Sequence, residues 1–408
     1  MSKKDFYKRV LFVIPYLANG GAERALSNIV MHFPEEWQID ILVNSDRRID
    51  YPYKGRLLTL KIDENPRTAS IFFQARAFWK RLKVLKKLKK ENKYVACVSF
   101  LDSANVANIL SGKKRCRVIV SVRSSLVNQA RLLQYRYIVN PLVHLLYNKA
   151  DKVVAVSKGS GIELEDIFQI SASRISVIAN GYDLDVLAQE AAQDIDKQLE
   201  ASLEGKRIIV FVGRLSPEKG LIHLLRAFSR AAEQESNLVL LVVGDGDNKE
   251  LLLQMVRNSN VKDKVYFTGY QRNPHKFVAR SDLFVITSLY EGFPNVLAEA
   301  VCLGLPCIAT DFQTGAREIL APALLTEPNE VTQMTQAEYG IITPLCSGKK
   351  YKDIAEPLEK AEEELVEAML LLIQNKNMKE YYEAKSRQRG TAFAIRFTVD
   401  RWLQEIQG

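Results

Sequence analysis

The 408-residue chain is poor in the residues that build crosslinks and metal centres, with five cysteines and four histidines. Cys97, Cys116, Cys302, Cys307 and Cys346 are odd in number and irregularly spaced, and none forms a C-x-x-C. That excludes a disulfide scaffold and a thioredoxin-type motif, and reduced core thiols are expected instead. His32, His144, His223 and His275 are scattered, and no local His/Cys/carboxylate cluster has metal-ligand spacing, so no structural zinc is expected. Long apolar runs are also missing. Leu238 to Val243 is typical, far short of the roughly 18 residues that argue for a spanning helix. The start, MSKKDFYKRVLFVIPYLANGG, has the basic-then-apolar order of a signal peptide, but Pro15 interrupts it and no A-x-A-like site follows. A first buried strand in a cytoplasmic protein is the expectation. No internal repeat and no low-complexity tract is present.

What remains is a globular composition, 47% hydrophobic and 26% charged. The length implies two domains of about 150 to 200 residues each. The chain carries 57 Lys+Arg against 48 Asp+Glu, a net +9, which implies an anionic partner: nucleic acid, a membrane surface or a phosphorylated substrate.

Short β-rich runs alternate with helix-period stretches: RVLFVIPYL, helical GAERALSNIVMHF, QIDILVN, then VACVSF, RVIVSV, KVVAVS and ISVIAN. That order predicts a parallel sheet covered by helices. A second set runs through RIIVFVG, LVLLVVG, KVYFTG, LFVITS, PCIATD and EYGIITP and predicts a second α/β domain. The division is 1–184, a solvated linker over 185–206, and 207–392. In the tail, Phe393, Phe397, Trp402 and Ile406 recur at roughly helical spacing and could pack back across either domain.

Four stretches carry candidate chemistry. Gly20 and Gly21 follow the first strand and open a helix, where backbone N–H groups can approach an anion. A tight turn with no ligand needs the same glycines. Gly244-Asp245-Gly246 resembles the start of a dinucleotide fingerprint, but Lys249 holds the third glycine's place and the acidic residues would repel a pyrophosphate. A helix cap by Asp247 or Asn248 is expected there. Arg214 and Lys219 follow the first strand of the second domain, where ligands bind in open α/β sheets, so they can clamp a diphosphate or form a solvated pair. In Ser288 to Ala300, Glu291 sits in a loop, Pro294 suits a first helical turn and Glu299 lies in the second turn. Outward N–H groups around Phe293, Asn295 and Val296 make an anion site, and the carboxylates can accept from sugar hydroxyls. A capping Glu with a surface Glu is the plainer alternative.

Taken in order, G-R-L-S-P-E-K-G, V-G-D-G, V-x-F-T-G, E-G-F-P-N-V-L-x-E-A, G-x-P-C-I-A-T-D and G-A-R-E-I, with N-terminal N-G-G-A-E-R-A-L and V-I-A-N-G-Y-D, resemble glycosyltransferase family 4, the retaining nucleotide-sugar transferases of GT-B fold. The resemblance spans nearly the whole chain. It implies an α/β GT-B architecture: two Rossmann-like domains facing a cleft, with the acceptor held by the first and the donor by the second. A C-terminal helix, 393–408, would cross back to the N-terminal domain. It further implies that Glu291 contacts donor-sugar hydroxyls and Glu299 the ribose, while Arg214 and Lys219 hold the diphosphate and stabilise the leaving group in place of a metal. Amides of Phe293, Asn295 and Val296, within the motif that also holds Gly292 and Pro294, would complete a phosphate cradle with Gly20 and Gly21. Gly213 would border the donor, whose base would lie near Gly269 and Tyr270. No cofactor and no essential metal is implied, since the nucleotide sugar is a substrate and the two cations do a metal's work; the departing phosphate accepts the acceptor's proton, so no protein base is implied either. Where many members carry a histidine after the Val118 to Val122 strand, this chain has Arg123, which can bind phosphate or acceptor, or pair with an acid.

Residues 76–93, RAFWKRLKVLKKLKKENK, hold nine basic residues and one acid, Glu91, so eighteen positions carry +8 and the other 390 only +1. Phe78, Leu82, Leu85 and Leu88 share one helical face, while Arg76, Lys80, Lys83, Lys87 and Lys90 form a stripe elsewhere. The apolar face suits packing on the sheet and the stripe suits anionic lipid or a lipid-diphosphate acceptor, each cation contributing roughly 1 kcal/mol near such a surface. The expectation is a transferase of a hexose or N-acetylhexosamine, from a UDP-sugar for preference, peripheral to the inner membrane face. The alternatives are a lipopolysaccharide-core or soluble acceptor, a nucleic-acid-binding protein, and a silent sugar-binding module. No RNA-recognition or helix-turn-helix signature is present, and nucleic acid is not expected as a partner.

Overall fold

The computed structural model describes residues 8–18, 20–62, 71–113, 116–327 and 329–408; the head of the basic opening, residues 1–7, lies outside them. The chain divides into two compact units, Met1–Gly181 with Ile395–Gly408, and Tyr182–Ala394.

The first unit is built on strands β1 (Lys8–Val13), β2 (Trp37–Val43), β3 (Arg56–Thr59), β4 (Tyr94–Phe100), β5 (Arg117–Val122), β6 (Lys152–Ala155) and β7 (Ile175–Val177). Their order is β3-β2-β1-β4-β5-β6-β7, and every pairing is parallel. Such a sheet is covered on both faces, which is why its strands are continuous apolar runs. Val10 and Phe12 enter one core layer with Leu26 and Phe33, while Leu11 and Val13 enter the opposite layer with Leu85 and Cys97. The C-terminal helix Ile395–Gln407 closes the first layer. Trp402 is fully buried against Phe100, and Thr398 donates to the Ala179 carbonyl at 3.2 Å. Its buried stripe is Ile395, Val399, Trp402 and Ile406, whereas Phe397 is exposed and Phe393 belongs to the second unit. The expected apolar face is therefore shifted, because Phe397 stands two residues from both Ile395 and Val399, on the opposite side of the helix.

The second unit holds β8 (Arg207–Val212), β9 (Leu238–Val243), β10 (Val265–Gly269), β11 (Leu283–Ile286), β12 (Cys307–Thr310), β13 (Thr335–Gln336) and β14 (Ile341–Thr343). The order is β10-β9-β8-β11-β12-β14-β13, with β13 antiparallel to β14. The stretch 185–206, expected as a solvated linker, is counted with this unit and contains two helices, Leu184–Ala191 and Lys197–Leu203. Asp183 and Asp196 cap them through their side chains, and Leu187, Ile195 and Leu203 are buried. Its few large apolar residues are spaced to meet the unit's surface, a pattern that an acidic, alanine-rich composition conceals.

In each sheet the strand order reverses beside the first strand, between β1 and β4 and between β8 and β11. The carboxyl ends of those pairs are where open α/β sheets present ligand-binding loops.

Candidate active site

At the β8/β11 reversal, the loop after β8 carries Gly213, Arg214 and Lys219, and the loop after β11 carries Glu291 to Pro294. The loops are joined directly. Lys219 Nζ meets Glu291 Oε1 at 2.5 Å, with both side chains mostly buried, and Ser288 Oγ donates to the same oxygen at 2.8 Å. The amide of Leu289 donates to the Glu218 carbonyl at 2.8 Å. Arg214 is exposed. Gly220 turns the chain at φ 60°, where a β-carbon would run into the Thr287 carbonyl, and Thr287 Oγ1 bonds the Gly220 carbonyl at 3.0 Å. A larger residue would push the two loops apart.

The helix that follows, Asn295–Cys302, has no side-chain cap. Pro294, expected in its first turn, is the N-cap residue, with ψ 84° keeping it outside the helical region as the chain enters. Phe293 is buried edge-on to Phe393, 6.2 Å between ring centres, and Tyr182 donates its hydroxyl to Asn295 Oδ1 at 2.7 Å. From the next loop Thr314 Oγ1 donates to the Glu291 carbonyl, and Gly315, at φ 98°, lies so close to Pro294 that a β-carbon would overlap its ring. Arg317, two residues on, is clamped to buried Asp311 by two bonds of 2.7 and 2.6 Å. Thus Gly292, Phe293, Pro294, Asn295 and Val296 are braced from behind by G-A-R-E-I, a support that sequence reading placed only in the list of motifs. Partial positive charge at a helix start, about half a unit, and the Lys219 ammonium make this edge suited to an anion.

Glu299 is buried, and its Oε2 faces His275 Nε2 at 3.1 Å. The other ring nitrogen meets Glu190 Oε2 at 2.7 Å. Sequence reading missed both His275 and Glu190. A lone histidine carries no spacing signal, and Glu190 stands in the stretch taken for linker.

Gly269 ends β10 at φ 71°, and Tyr270 after it is exposed. Asn248 is the N-cap of the helix Lys249–Arg257 but makes no side-chain cap bond, nor does Asp247 supply one. Asp245 instead accepts from Gly246 N and Lys249 Nζ at 2.8 and 2.9 Å, while Leu215 N and Asp245 O join the neighbouring turn at 3.0 Å. V-G-D-G is a loop-to-loop joint.

In the first unit Gly20 is the N-cap of the helix Gly21–Met31. The Glu23 carboxylate folds back to lie where a β-carbon on Gly20 would be. Burial raises the Glu23 pKa, and a bond from its own backbone N–H opposes that rise in part. Arg123 donates to Asn180 Oδ1 and lies over the Phe100 ring at 5.5 Å. On the helix Ile71–Glu91, Arg76, Lys80, Lys83, Lys87 and Lys90 are exposed. Two of the nine cations counted there turn inward. Arg81 donates to Asn44 Oδ1 at 2.7 Å and Ser103 Oγ at 3.1 Å, and burial pulls its pKa down to about 10. Lys89 Nζ is surrounded by Asn108 Oδ1, Asn108 O and Gly112 O at 2.7, 3.0 and 3.1 Å. A cavity of about 370 Å³ at the start of this helix is lined by Arg47, Lys61, Arg76 and Lys80 beside Ile62, Phe73 and Ala77.

Among the described residues the fold gathers one His/Cys/Glu group that local spacing could not reveal. His223, Cys346 and Glu359 bring ligand atoms within 4.8 Å of one another. His223 Nδ1 is already bonded to Glu362 at 2.8 Å, and Arg226, fully buried, takes both Glu362 oxygens at 2.9 and 3.0 Å. A guanidinium there opposes a second cation, and the group serves as a buried polar network.

Comparison with known proteins bears on the family and the fold. The model of Glycosyltransferase Family 4 matches residues 19–186, and that of Glycosyl transferases group 1 matches residues 192–356. The chain is 28% identical over 357 residues to the N-acetylgalactosamine-N,N'-diacetylbacillosaminyl-diphospho-undecaprenol 4-alpha-N-acetylgalactosaminyltransferase of Campylobacter jejuni, covering 85% of this chain and 93% of the relative. It is also 28% identical over 340 residues to an uncharacterized glycosyltransferase of Methanocaldococcus jannaschii, covering 81% and 82%. Among solved structures, Anabaena HepE in complex with UDP and glucose superposes with a TM-score of 0.73 at 18% identity, covering 98% and 99% of the two chains. Sucrose-phosphate synthase from Thermosynechococcus elongatus does so with 0.73 at 17%, covering 97% and 98%. The chain is an enzyme of glycosyltransferase family 4, with the two Rossmann-like units of the GT-B fold.

Proposed function

We propose that this enzyme transfers a hexose or N-acetylhexosamine, with retention, from a UDP-sugar to a lipid-diphosphate-linked glycan at the inner face of the cell membrane. The observation that carries the donor half is the Lys219–Glu291 pair beside a helix start without a side-chain cap, at the strand reversal of the second unit. As the anomeric C1–O bond to the diphosphate breaks, charge gathers on the leaving phosphate. Lys219, Arg214 and the amides of Phe293, Asn295 and Val296 stabilise that charge without a metal. Both bonds recorded to the Glu291 carboxylate use Oε1, so Oε2 accepts from a donor-sugar hydroxyl. Glu299 accepts from the ribose, and Gly213, Gly269 and Tyr270 border the nucleotide. The acceptor oxygen bonds C1 from the face the diphosphate leaves, and its proton passes to the departing phosphate oxygen. UDP is favoured because HepE was solved with it.

The acceptor half rests on the first unit. Two Campylobacter relatives and one from Escherichia coli are named for undecaprenol-diphosphate glycans. The cation-lined cavity and the exposed lysine stripe suit a diphosphate and anionic headgroups. Trp79, Leu132, Leu133, Tyr137, Ile138 and Leu145, all exposed, add the mixture of aromatic and aliphatic surface that settles at a membrane interface. No helix among the described residues is long and apolar enough to cross a membrane. In this reading attachment is through the exposed surface of the first unit.

The test is nucleotide release from a panel of UDP- and GDP-sugars with and without an undecaprenyl-diphosphate glycan, run beside sedimentation with anionic vesicles. UDP release that requires the lipid-linked glycan is the expected result. Charge reversal at Lys83 and Lys87 should lower vesicle binding by at least about thirtyfold, two cations lost at roughly 1 kcal/mol each. Release only with a soluble acceptor overturns the acceptor assignment, and unchanged vesicle binding overturns the membrane one.

A further inference from the structure

Resting on the reading of Glu299 as the ribose ligand, we propose that His275 is a positioning residue for it, held in turn by Glu190, so that the helix Leu184–Ala191 is coupled to nucleotide binding. The three groups form a line: Glu190 Oε2 to His275 Nδ1 at 2.7 Å, and His275 Nε2 to Glu299 Oε2 at 3.1 Å. The ring and Glu299 are almost completely buried, at 2% and 3% exposure, while Glu190 reaches solvent at 37%.

A carboxylate buried to that degree needs a partner in charge and geometry. An imidazole with a carboxylate oxygen on each nitrogen satisfies both acceptors when it donates from both, the imidazolium form. With the ring on its Oε2, the Glu299 carboxylate is held in one orientation, which is what recognition of the ribose hydroxyl donors requires. The other titratable neighbour of Glu299 on its own helix is Cys302, whose thiol is pushed up to about 12 by burial and by the Glu299 charge. It stays neutral and adds no competing charge. Lys276, beside His275, is turned to the Asp194 carbonyl at 3.2 Å.

The short helix His275–Val278 is fastened to the Leu184–Ala191 segment at several points. Asn273 Nδ2 donates to the Glu190 carbonyl at 2.7 Å and to Gln193 Oε1 at 3.0 Å, its Oδ1 accepts from His275 N at 3.0 Å, and Arg280 donates to the Gln193 carbonyl at 2.9 Å. His275 is thus fixed on the side away from Glu299. The segment supplying Glu190 directly follows the boundary between the two units at Gly181 and Tyr182, so displacement of that helix withdraws the outer partner of the ring and loosens the Glu299 carboxylate.

The test compares His275→Asn, His275→Gln, Glu190→Gln and Glu299→Gln by UDP titration calorimetry and by donor KM and kcat, with thermal denaturation of each. Asparagine keeps a group near Nδ1 and loses the bond to Glu299, whereas glutamine places an amide nitrogen near Nε2. His275→Asn should raise the UDP Kd and the donor KM about tenfold with kcat nearly unchanged, the size of one charge-assisted hydrogen bond. His275→Gln should restore most of that affinity, and Glu190→Gln should weaken it by about threefold. Equal losses in the asparagine and glutamine variants, or a fall in kcat at constant KM, would reduce His275 to packing and overturn the proposal. An unaltered Kd in His275→Asn beside a weakened one in Glu299→Gln overturns the proposal alone. An unaltered Kd in Glu299→Gln overturns the ribose reading together with it.

Discussion

The two strand reversals use the same backbone device and finish it differently. After β1 the chain turns through Gly20 and Gly21 into a helix whose start is covered by its own Glu23. After β11 it turns through Gly292 and Pro294 into a helix without a side-chain cap, and the nearby Glu291 is drawn aside by Lys219 and Ser288. Glycine content would favour the first turn as the anion site. The placement of the carboxylate favours the second. A helix start attracts whatever anion is nearest, so a chain that needs an external phosphate must hold its own carboxylates elsewhere.

The largest effect expected from breaking this contrast is at Lys219. Removing the ammonium takes away a stabiliser of the leaving diphosphate, and it frees Glu291 to swing toward the helix start as Glu23 does. Lys219→Ala should lower kcat by about a hundred- to a thousandfold while circular dichroism stays unchanged, and Glu291→Ala should likewise abolish transfer with the fold intact. Near-wild-type turnover in either variant would remove that residue from the mechanism. The double variant Lys219→Ala/Glu291→Gln should melt higher than Lys219→Ala, because the single variant leaves a mostly buried carboxylate without its cation.

These contrasts were only partly legible in the sequence. The strands were, since a parallel strand covered on both faces must be a continuous apolar run, and RVLFVI, LVLLVV and RIIVFV could be little else. The Lys219 and Glu291 loops were legible from ordered motifs. What escaped was every feature made by residues distant in sequence: the Glu190–His275–Glu299 line spans 109 positions, and Thr314 with Gly315 braces a loop some twenty residues upstream. Arg81 and Lys89 escaped for another reason. Periodicity assigns a charge to the outside, and nothing local shows that Asn44 and Asn108 lie ready to receive cations in the core. Glu23 was read as the fifth letter of a motif, when its carboxylate decides whether the motif's glycines face an anion at all.

The second prediction sharpens the contrast from the far side of the open turn. Gly315→Ala puts a β-carbon into the Pro294 ring at φ 98°. The backbone cost alone is about 1–2 kcal/mol, which lowers the melting temperature of a unit this size by roughly 2 to 8 °C. Moving Pro294 also displaces the amides at the start of Asn295–Cys302, so UDP affinity should fall as well. Gly205→Ala is the control. It has φ 71° with no atom within 4 Å of the added carbon, so it should cost stability and leave UDP affinity alone. Equal losses of affinity in both variants would show that the brace does not set the turn.

The smallest effect is expected at the covered turn. Burial raises the pKa of Glu23 above its ordinary value of 4.5, so just above that pH the folded chain holds a proton that the unfolded chain has released. Stability contributed by this group therefore falls as pH rises through the window between the ordinary and the raised value. Glu23→Gln cannot ionise and loses that slope, so at neutral pH it should melt slightly above the wild type, on the order of 1 °C. The charge that filled the helix start is also gone. Inorganic phosphate should then raise the melting temperature of Glu23→Gln more than that of the wild type, because the amides at Gly20 and Gly21 no longer face a competing carboxylate. An unchanged pH slope would mean that Glu23 is not confined over Gly20 in solution. An unchanged response to phosphate would mean that the two turns differ in more than the placement of one carboxylate.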